Sequence, residues 1–325
     1  MAIPSQFQNT LRLPVIGAPM FIASGRDLIV EQCRAGIIGA FPALNARPQT
    51  ELKDWIAEIR ERLAVDNGGF PVAPFAVNQV MSPLNDRWEA DLVTIVQEKV
   101  PLIITSLRAP PPEIISEVHG YGGLIFHDVT NLKHARKAAS AGVDGLILVS
   151  AGAGGQGGDR SPFALVNQVK DFFDGTIILS GAMSTGGDIL AAQAMGADLA
   201  YLGTRFLAAS ESGTSAEHKA EIIAADADDI IYTNIFTGIY GNYLKPTLTA
   251  AGLDINNLPP WSPETAKYRR GEDGEIKVWR DIRGAGHGCG SITAEMPVAD
   301  IVDQLEQEYH AALAQVQSHR FQRRH

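Results

Sequence analysis

The sequence predicts a (β/α)8 barrel, in which eight parallel strands alternate with helices. Short runs of apolar and β-branched residues alternate with helix-like segments from the N-terminus onward. Eight such units fit into roughly the first two thirds of the 325 residues, and a chain of this length can form one large barrel. A partial internal repeat supports the unit structure. Because repeated βα units build parallel sheets of either kind, an open doubly wound sheet is the alternative.

The predicted elements follow one another along the chain. Strands are predicted at 15–18, 37–40, 72–77, 102–105, 124–127, 146–149, 177–179 and 199–202. The clearest helical patterns lie at 52–63, 88–98, 131–141, 163–173 and 187–195. The segments AGVDGLILVS and MGADLAYLGT share one plan, in which a helix ends on glycine, a turn follows at Asp144 or Asp198, and a buried strand begins. Glycine suits such a helix end because it adopts the left-handed conformation at little cost.

The regular alternation of predicted strands and helices ends after Thr204. Residues 205–225 are predicted to be helical, 226–290 are irregular and rich in Gly, Pro, Asn and aromatic residues, and 298–316 form an amphipathic helix. We therefore expect a barrel over residues 1–225, completed by the helix 298–316, and an irregular cap over the barrel mouth at 226–297. The alternative is a surface elaboration with no role at the site.

The composition of the chain argues against several classes of function. The net charge of −10 gives no support for nucleic-acid binding. The two cysteines, Cys33 and Cys289, form neither a disulfide framework nor a zinc spacing, so no metal site is expected. The sequence shows no apolar run that could span a bilayer and no signal-peptide core at its N-terminus, so we expect a cytoplasmic protein without a membrane segment.

The loop SAGAGGQGGDRSP after the sixth strand contains a GxGxxG pattern at Gly152, Gly154 and Gly157. In a dinucleotide-binding turn the third glycine opens the helix. Here Ser161 and Pro162 are the better helix start, as N-cap and first helical residue. The loop is therefore too long for a dinucleotide turn.

Catalytic groups in such a barrel lie where the strands end. The loops after strands seven and eight commonly bind phosphate, because glycine-rich backbone there presents N–H groups to an anion. The candidates are Ser180, Gly181, Ala182, Leu202, Gly203 and Thr204. The alternative is that these glycines only form tight turns.

A phosphate anchor favours flavin mononucleotide (FMN). The Ala18-Pro19-Met20 turn supplies an apolar shelf for a flat ring, and Asn78 and His127 offer hydrogen bonds. For His127 a buried core position is an equal alternative.

Four segments together resemble the nitronate monooxygenase family, formerly called 2-nitropropane dioxygenases. They are VIGAPMFIASGRDLIVEQCRAGIIGAFPA, SAGAGGQGG, LSGAMSTGGDILAAQAMGADLAYLGTRF and GAGHGCGSI, and the resemblance runs from Pro14 to Gln307. It implies an FMN-dependent TIM-barrel oxidoreductase that uses O2 and a small-molecule substrate. Flavin-dependent enoyl reductases and NADH:quinone reductases share that fold.

The resemblance also implies site residues. Ala18, Pro19 and Met20 would lie along the flavin, Asn78 and His127 near its ring or ribityl chain, Gly154 and Gly155 beside it, and the residues after strands seven and eight at its phosphate. Ala182 stands where the family usually has a second glycine. We further expect Phe21, Phe236 and Tyr240 to line the substrate pocket.

One departure concerns the catalytic base. Many relatives read GGH in the loop after strand six, and that histidine is their proposed base, whereas this chain has Gln156. The late loop commonly reads AGQG, whereas this chain has His287. A glutamine amide cannot take up a proton near neutral pH. The two side chains have exchanged places if both loops face the flavin; otherwise His287 is an exposed loop residue.

Three functions remain open at this stage. The first is oxidation of alkyl nitronates by O2. The second is NAD(P)H-dependent reduction of quinones or enoyl thioesters, and the third is flavin binding without catalysis. A homo-oligomer is possible, with the aromatic stretch 232–243 as either a pocket cover or a subunit contact.

Overall fold

The computed structural model describes residues 3–262, 278 and 280–318. Eight parallel strands close into a barrel, which confirms the predicted fold class. In chain order they are β1 (Val15–Gly17), β2 (Ile38–Pro42), β3 (Phe75–Val80), β4 (Leu102–Ser106), β5 (Leu124–Val129), β6 (Gly145–Val149), β8 (Thr176–Ser180) and β9 (Leu199–Leu202). The two-residue strand β7 (Gly155–Gln156) lies outside the barrel.

Helices surround the barrel and extend beyond it. They are α1 (Arg26–Arg34), α2 (Glu51–Ala64), α3 (Trp88–Gln97), α4 (Pro112–Gly120), α5 (Leu132–Ala141), α6 (Pro162–Lys170), α7 (Gly186–Met195), α8 (Thr204–Leu207), α9 (Ala216–Ala224), α10 (Lys245–Ala250) and α11 (Val298–Ser318). Ser161 is the N-cap of α6 and Pro162 its first residue, as the sequence predicts. Helix α11 packs on α7 and completes the helical layer.

The core has two parts separated by the barrel wall. Alternate strand residues fill the lumen, among them Ile104, Phe126, Ile147 and Tyr201. The intervening residues pack outward against the helices. Because both strand faces are buried, the strands appear in the sequence as continuous apolar runs.

The two repeated βα segments share one turn structure, in which a glycine ends the helix and an aspartate binds the neighbouring strand. Gly142 and Gly196 end α5 and α7 in the left-handed conformation, with φ of 92° and 106°. The Asp144 and Asp198 carboxylates then accept the backbone N–H groups of Ile125 and Ile177, at 2.8 and 2.9 Å. Each turn is thereby fastened to the start of the neighbouring strand.

Two element predictions need correction. Strand β3 begins at Phe75 rather than at residue 72, because Pro74 has no N–H for the strand ladder. The predicted helix 205–225 is two helices, α8 and α9. Ser215 starts the second by accepting the His218 N–H through its side chain.

The segment predicted to be irregular contains regular structure. Strands β10 (Ile230–Thr233) and β11 (Gly241–Leu244) pair antiparallel, and β11 pairs with β7 of the glycine loop. A small core of Ile235, Phe236, Tyr243, Leu248 and Ile282 supports them. Within the described ranges, no helix combines the length and apolar character that crossing a bilayer requires.

Candidate active site

The turn after β1 is fixed by neighbouring backbone and by Asn45. The Ala18 N–H donates to the Leu202 carbonyl at 2.8 Å, and the Asn45 amide donates to the Met20 carbonyl at 3.0 Å. A Cβ built on Gly203 would lie 3.5 Å from the Ala18 Cβ and 3.7 Å from the Met20 Sδ. Pro19 therefore belongs to a turn that lies directly beside Gly203. No sequence signal pointed to Asn45.

The loop after β8 has an unusual backbone. Gly181 and Ala182 both have positive φ, at 134° and 55°. A side chain on Gly181 would come within 2.4 Å of the Ser150 Oγ, so only glycine fits. For Ala182 the left-handed conformation costs about 1–2 kcal/mol. The chain thus maintains this path at some cost to stability, as binding loops often do.

Three loops meet at the carboxyl ends of the strands. The Gly152 carbonyl accepts the N–H groups of Ala182 and His287, at 3.3 and 3.0 Å. The Thr204 hydroxyl accepts the Gly286 N–H at 2.9 Å. The loops after β6 and β8 and the late loop are therefore held together beside the start of α8, where helical N–H groups have no partner inside the helix.

His287 lies at this junction. A Cβ on Gly152 would stand 3.3 Å from the His287 Nδ1, while the side chain as a whole is exposed. His287 is thus next to the predicted phosphate loops. Whether it has exchanged places with Gln156 stays a prediction.

Gln156 is exposed and belongs to the three-stranded sheet β10-β11-β7, named the cap sheet after the predicted cap segment. Its backbone pairs with Gly241, and the Gly157 N–H donates to the Tyr240 carbonyl at 3.2 Å. The Asn242 amide donates to the Ala153 carbonyl at 2.7 Å. Residues Gly154 and Gly155 therefore follow a path that is set by β11 as well as by the barrel.

A chain of polar side chains faces the lumen just below the mouth. The Asn78 amide donates to the Ser106 hydroxyl at 2.8 Å, and Ser106 donates to the Asp128 Oδ2 at 2.6 Å. Burial raises the pKa of Asp128 to about 7, although the Ser106 hydrogen bond opposes this shift. Asn78 was predicted from the sequence; Ser106 and Asp128 were not.

His127 lies on the other face of β5. Phe126 points into the lumen, so Asp128 shares that face and His127 points outward. The His127 Nδ1 is 2.8 Å from the Thr105 hydroxyl. Burial, with a smaller effect of His134, lowers the pKa of His127 to about 4, so its imidazole is neutral at pH 7. This placement agrees with the core alternative for His127, and Asp128 is the residue of β5 that faces the mouth.

The three predicted pocket residues have different surroundings. Phe21 is 38% exposed. The Arg47 guanidinium carbon lies over the Phe21 ring, 4.9 Å from the ring centre. Tyr240 is 49% exposed and stacks on Tyr232 at 5.0 Å. Phe236 is fully buried against Tyr243, so it cannot touch a substrate without movement of the cap core.

The groups at the mouth would therefore suit a ligand with an anionic end and a polar end. Positive-φ loops and helical N–H groups lie on one side. On the lumen side, the Asp128 Oδ1 and the Tyr201 hydroxyl are buried and have no hydrogen-bond partner among the residues that the structure describes. Such atoms are costly unless a ligand or water satisfies them.

Comparisons with known proteins identify the family of this chain. The family model for nitronate monooxygenase matches residues 30–308. The chain is 25% identical to a nitronate monooxygenase of Paraburkholderia phytofirmans, over 93% of this chain and 94% of that protein. It is 29% identical to an indene-carboxyl-CoA dehydrogenase of Rhodococcus jostii, over 72% of this chain and 63% of that protein.

A solved structure shows the same fold. The nitroalkane oxidase of Streptomyces ansochromogenes superimposes with a TM-score of 0.80 at 24% identity, over 96% of this chain and all of that one. The match of the family model over most of the chain carries the assignment. The chain belongs to the nitronate monooxygenase family of flavin-dependent oxidoreductases, and it is an enzyme.

Proposed function

We propose that this enzyme binds FMN at the barrel mouth and oxidises alkyl nitronates with O2. The observation that carries the proposal is the junction of the three loops at Gly152, Ala182, Thr204 and Gly286. This junction places two positive-φ residues and the start of α8 side by side, as a phosphate end requires. The family match gives the reaction class.

The residues at the mouth fit FMN. Backbone N–H groups of Gly181, Gly203 and Thr204 would hold the phosphate, and Ala182, whose N–H donates to the Gly152 carbonyl at 3.3 Å, would shape the loop around it. The Ala18–Met20 turn would support the ring, and Asn78 and Asp128 would contact its polar edge. When bound, the flavin supplies the electron acceptor that passes electrons from the nitronate to O2.

Gln156 would bind substrate on the cap side of the mouth. Its amide can donate a hydrogen bond to a nitronate oxygen, but it cannot remove a carbon-bound proton. A nitronate has already lost that proton, so it needs no base. The proposal therefore names preformed nitronates as the substrates, and Phe21 and Tyr240 as the apolar walls of the pocket.

We also propose that residues 226–297 act as a cap. The supporting observation is that β11 pairs with the glycine loop. Residues 263–277 and 279 of this segment lie outside the described ranges. A surface elaboration would leave the loop after β6 without this partner strand.

A second candidate is oxidation or reduction of a thioester. The carboxyl-CoA dehydrogenase of Rhodococcus jostii, 29% identical, favours it. NAD(P)H would then be a second substrate for the reductase version of this reaction.

An anaerobic experiment separates the candidates. The purified yellow protein is mixed without oxygen with propyl-2-nitronate, NADH or NADPH, and the flavin absorbance is followed. Rapid bleaching by the nitronate alone is the expected result. Bleaching by a nicotinamide would instead support the reductase, and no bleaching by any of the three would contradict both.

A further inference from the structure

The lumen side of the mouth contains a carboxyl group to which the proposed function gives a contact but no chemical role. Asp128 lies at the end of β5 and shares the lumen face with Phe126. Its Oδ2 accepts the Ser106 hydroxyl at 2.6 Å, and Ser106 in turn accepts the Asn78 amide at 2.8 Å. One carboxylate oxygen is therefore fixed in place by two neighbouring strands.

The other oxygen is free. The Asp128 Oδ1 is buried and has no hydrogen-bond partner among the described residues, and the same holds for the Tyr201 hydroxyl. Tyr201 extends from β9 into the same lumen, where burial and, to a smaller extent, the charge of Asp128 raise the pKa of its phenol. Two unsatisfied buried groups that face one space indicate a polar ligand there.

The groups around Asp128 leave its charge uncompensated. Ser106 approaches from β4 and Tyr201 from β9, and on β6 the register partner Ile147 and the lumen residue Val149 are both apolar. His127, on the same strand, faces outward and is neutral at pH 7. Burial is the largest influence on the pKa of Asp128 and raises it to about 7. The carboxyl is thus poised between its two protonation states near neutral pH.

We propose that Asp128 contacts the bound flavin from the lumen side and takes up a proton from solvent when the flavin is reduced. This inference rests on the proposed FMN site. The substrate would lie on the opposite, cap side of the mouth with Gln156, whose strand β7 belongs to the cap sheet. Asp128 is therefore assigned to the flavin rather than to the substrate.

Charge balance explains the coupled proton. Bound FMN would take two electrons from the reductant and one proton from solvent, so its charge would become more negative by one. A second negative charge on Asp128, in contact with the reduced flavin, would be unfavourable. The carboxylate therefore takes a second proton from solvent, and the net charge of the pocket stays the same.

The test is the pH dependence of the flavin reduction potential. The FMN-loaded wild type and the Asp128→Asn variant are titrated spectroelectrochemically between about pH 6 and about pH 9, a range that spans the carboxyl pKa of about 7. One extra proton per two electrons makes the potential of the wild type steeper by about 30 mV per pH unit. Asp128→Asn loses this extra slope because its amide does not titrate.

Two further variants make the result decisive. Asp159→Asn removes the same charge from an exposed position near the glycine loop and should keep the wild-type slope. Ser106→Ala removes the hydrogen bond that lowers the pKa of Asp128, so the steep region should begin at a higher pH. If Asp128→Asn does not retain flavin, Ser106→Ala alone decides.

Equal slopes in wild type and Asp128→Asn, or an unchanged onset in Ser106→Ala, overturn the proposal. These results would leave nitronate oxidation untouched. A protein that binds FMN but does not react with nitronates would contradict the proposed function. The pH dependence of its flavin reduction potential would still test the role of Asp128.

Discussion

At the scale of single residues, the proposed function makes Gln156 the side chain that limits the substrates to preformed nitronates. We expect Gln156→His to gain turnover of neutral nitroethane, because an imidazole with a pKa near about 6.5 can remove its proton. A positioned base is worth about a hundred- to ten-thousand-fold in rate. The measurement is kcat/KM for nitroethane and for ethylnitronate in wild type and variant.

The wild type supplies the control for this prediction. It should oxidise ethylnitronate briskly and nitroethane poorly, and equal rates would contradict the role given to Gln156. His287→Ala separates the remaining alternative. If the wild type turns over nitroethane and this variant does not, the base lies in the late loop.

The sequence pointed to Asn78 and to the two glycine-containing loops after β8 and β9 as candidates, but not to Asp128. His127 and Asp128 are adjacent in a strand that is buried on both faces, so hydropathy does not show which side chain enters the lumen. The answer depends on the register with β4 and β6, which pairs His127 with Thr105 and Asp128 with Ile147. Register is a property of the closed barrel and not of the segment.

At the scale of elements, the repeated aspartate turns should contribute to stability. Asp198→Ala leaves the buried Ile177 N–H without the carboxylate that it meets at 2.9 Å. We expect a loss of about 1–3 kcal/mol in the free energy of unfolding, measured by urea denaturation. Asp171→Ala, at an exposed helix end, is the matched control and should change little. An equal loss in both variants would argue against the turn as its cause.

Two substitutions in the proposed cap should distinguish a loss of packing, seen in stability, from a loss of substrate contact, seen in KM. Tyr240→Ala removes an exposed ring at the glycine loop and should raise KM for nitronates with a small change in Tm. Phe236→Ala removes a fully buried ring and should cost about 3–5 kcal/mol of stability. A Tyr240→Ala variant with unchanged KM would refute its place in the pocket.

The cap also shows where sequence patterns give too little information. Its strands β10 and β11 have only four residues each, and β7 has two, so no periodicity identifies them. They form because β11 pairs with both neighbours, one of which lies far earlier in the chain. The barrel elements were predictable because each contains its own apolar signal.

At the scale of the whole molecule, buried histidines should make the fold acid-sensitive. Burial lowers the pKa of His127 and of His218 from 6.5 to about 4. Between these values the unfolded chain binds more protons than the folded one, so the stability from these groups is complete above pH 6.5 and is lost as the pH falls towards about 4. Asp128, with its raised pKa, acts in the opposite direction and offsets part of this loss.

Denaturation across this pH range checks the prediction. The free energy of unfolding should fall on acidification, and His127→Gln should reduce the fall by roughly 3 kcal/mol at most. Replacement of His310, which is exposed on α11, should leave the profile as it is. A wild-type profile that is flat from about pH 6.5 to about pH 4 would show that the histidines do not control acid stability.

The pairing of β7 with β11 has a practical meaning for protein engineering. Gly241 lies so close to the glycine loop that an added Cβ would be 2.7 Å from the Gly155 carbonyl oxygen. A loop transplanted from a relative would therefore have to arrive together with the strand that matches it. Chimeras that exchange residues 150–158 alone should misassemble, whereas those that also exchange residues 230–244 should keep a continuous sheet. The exchangeable module of this enzyme is thus made of two distant stretches of sequence.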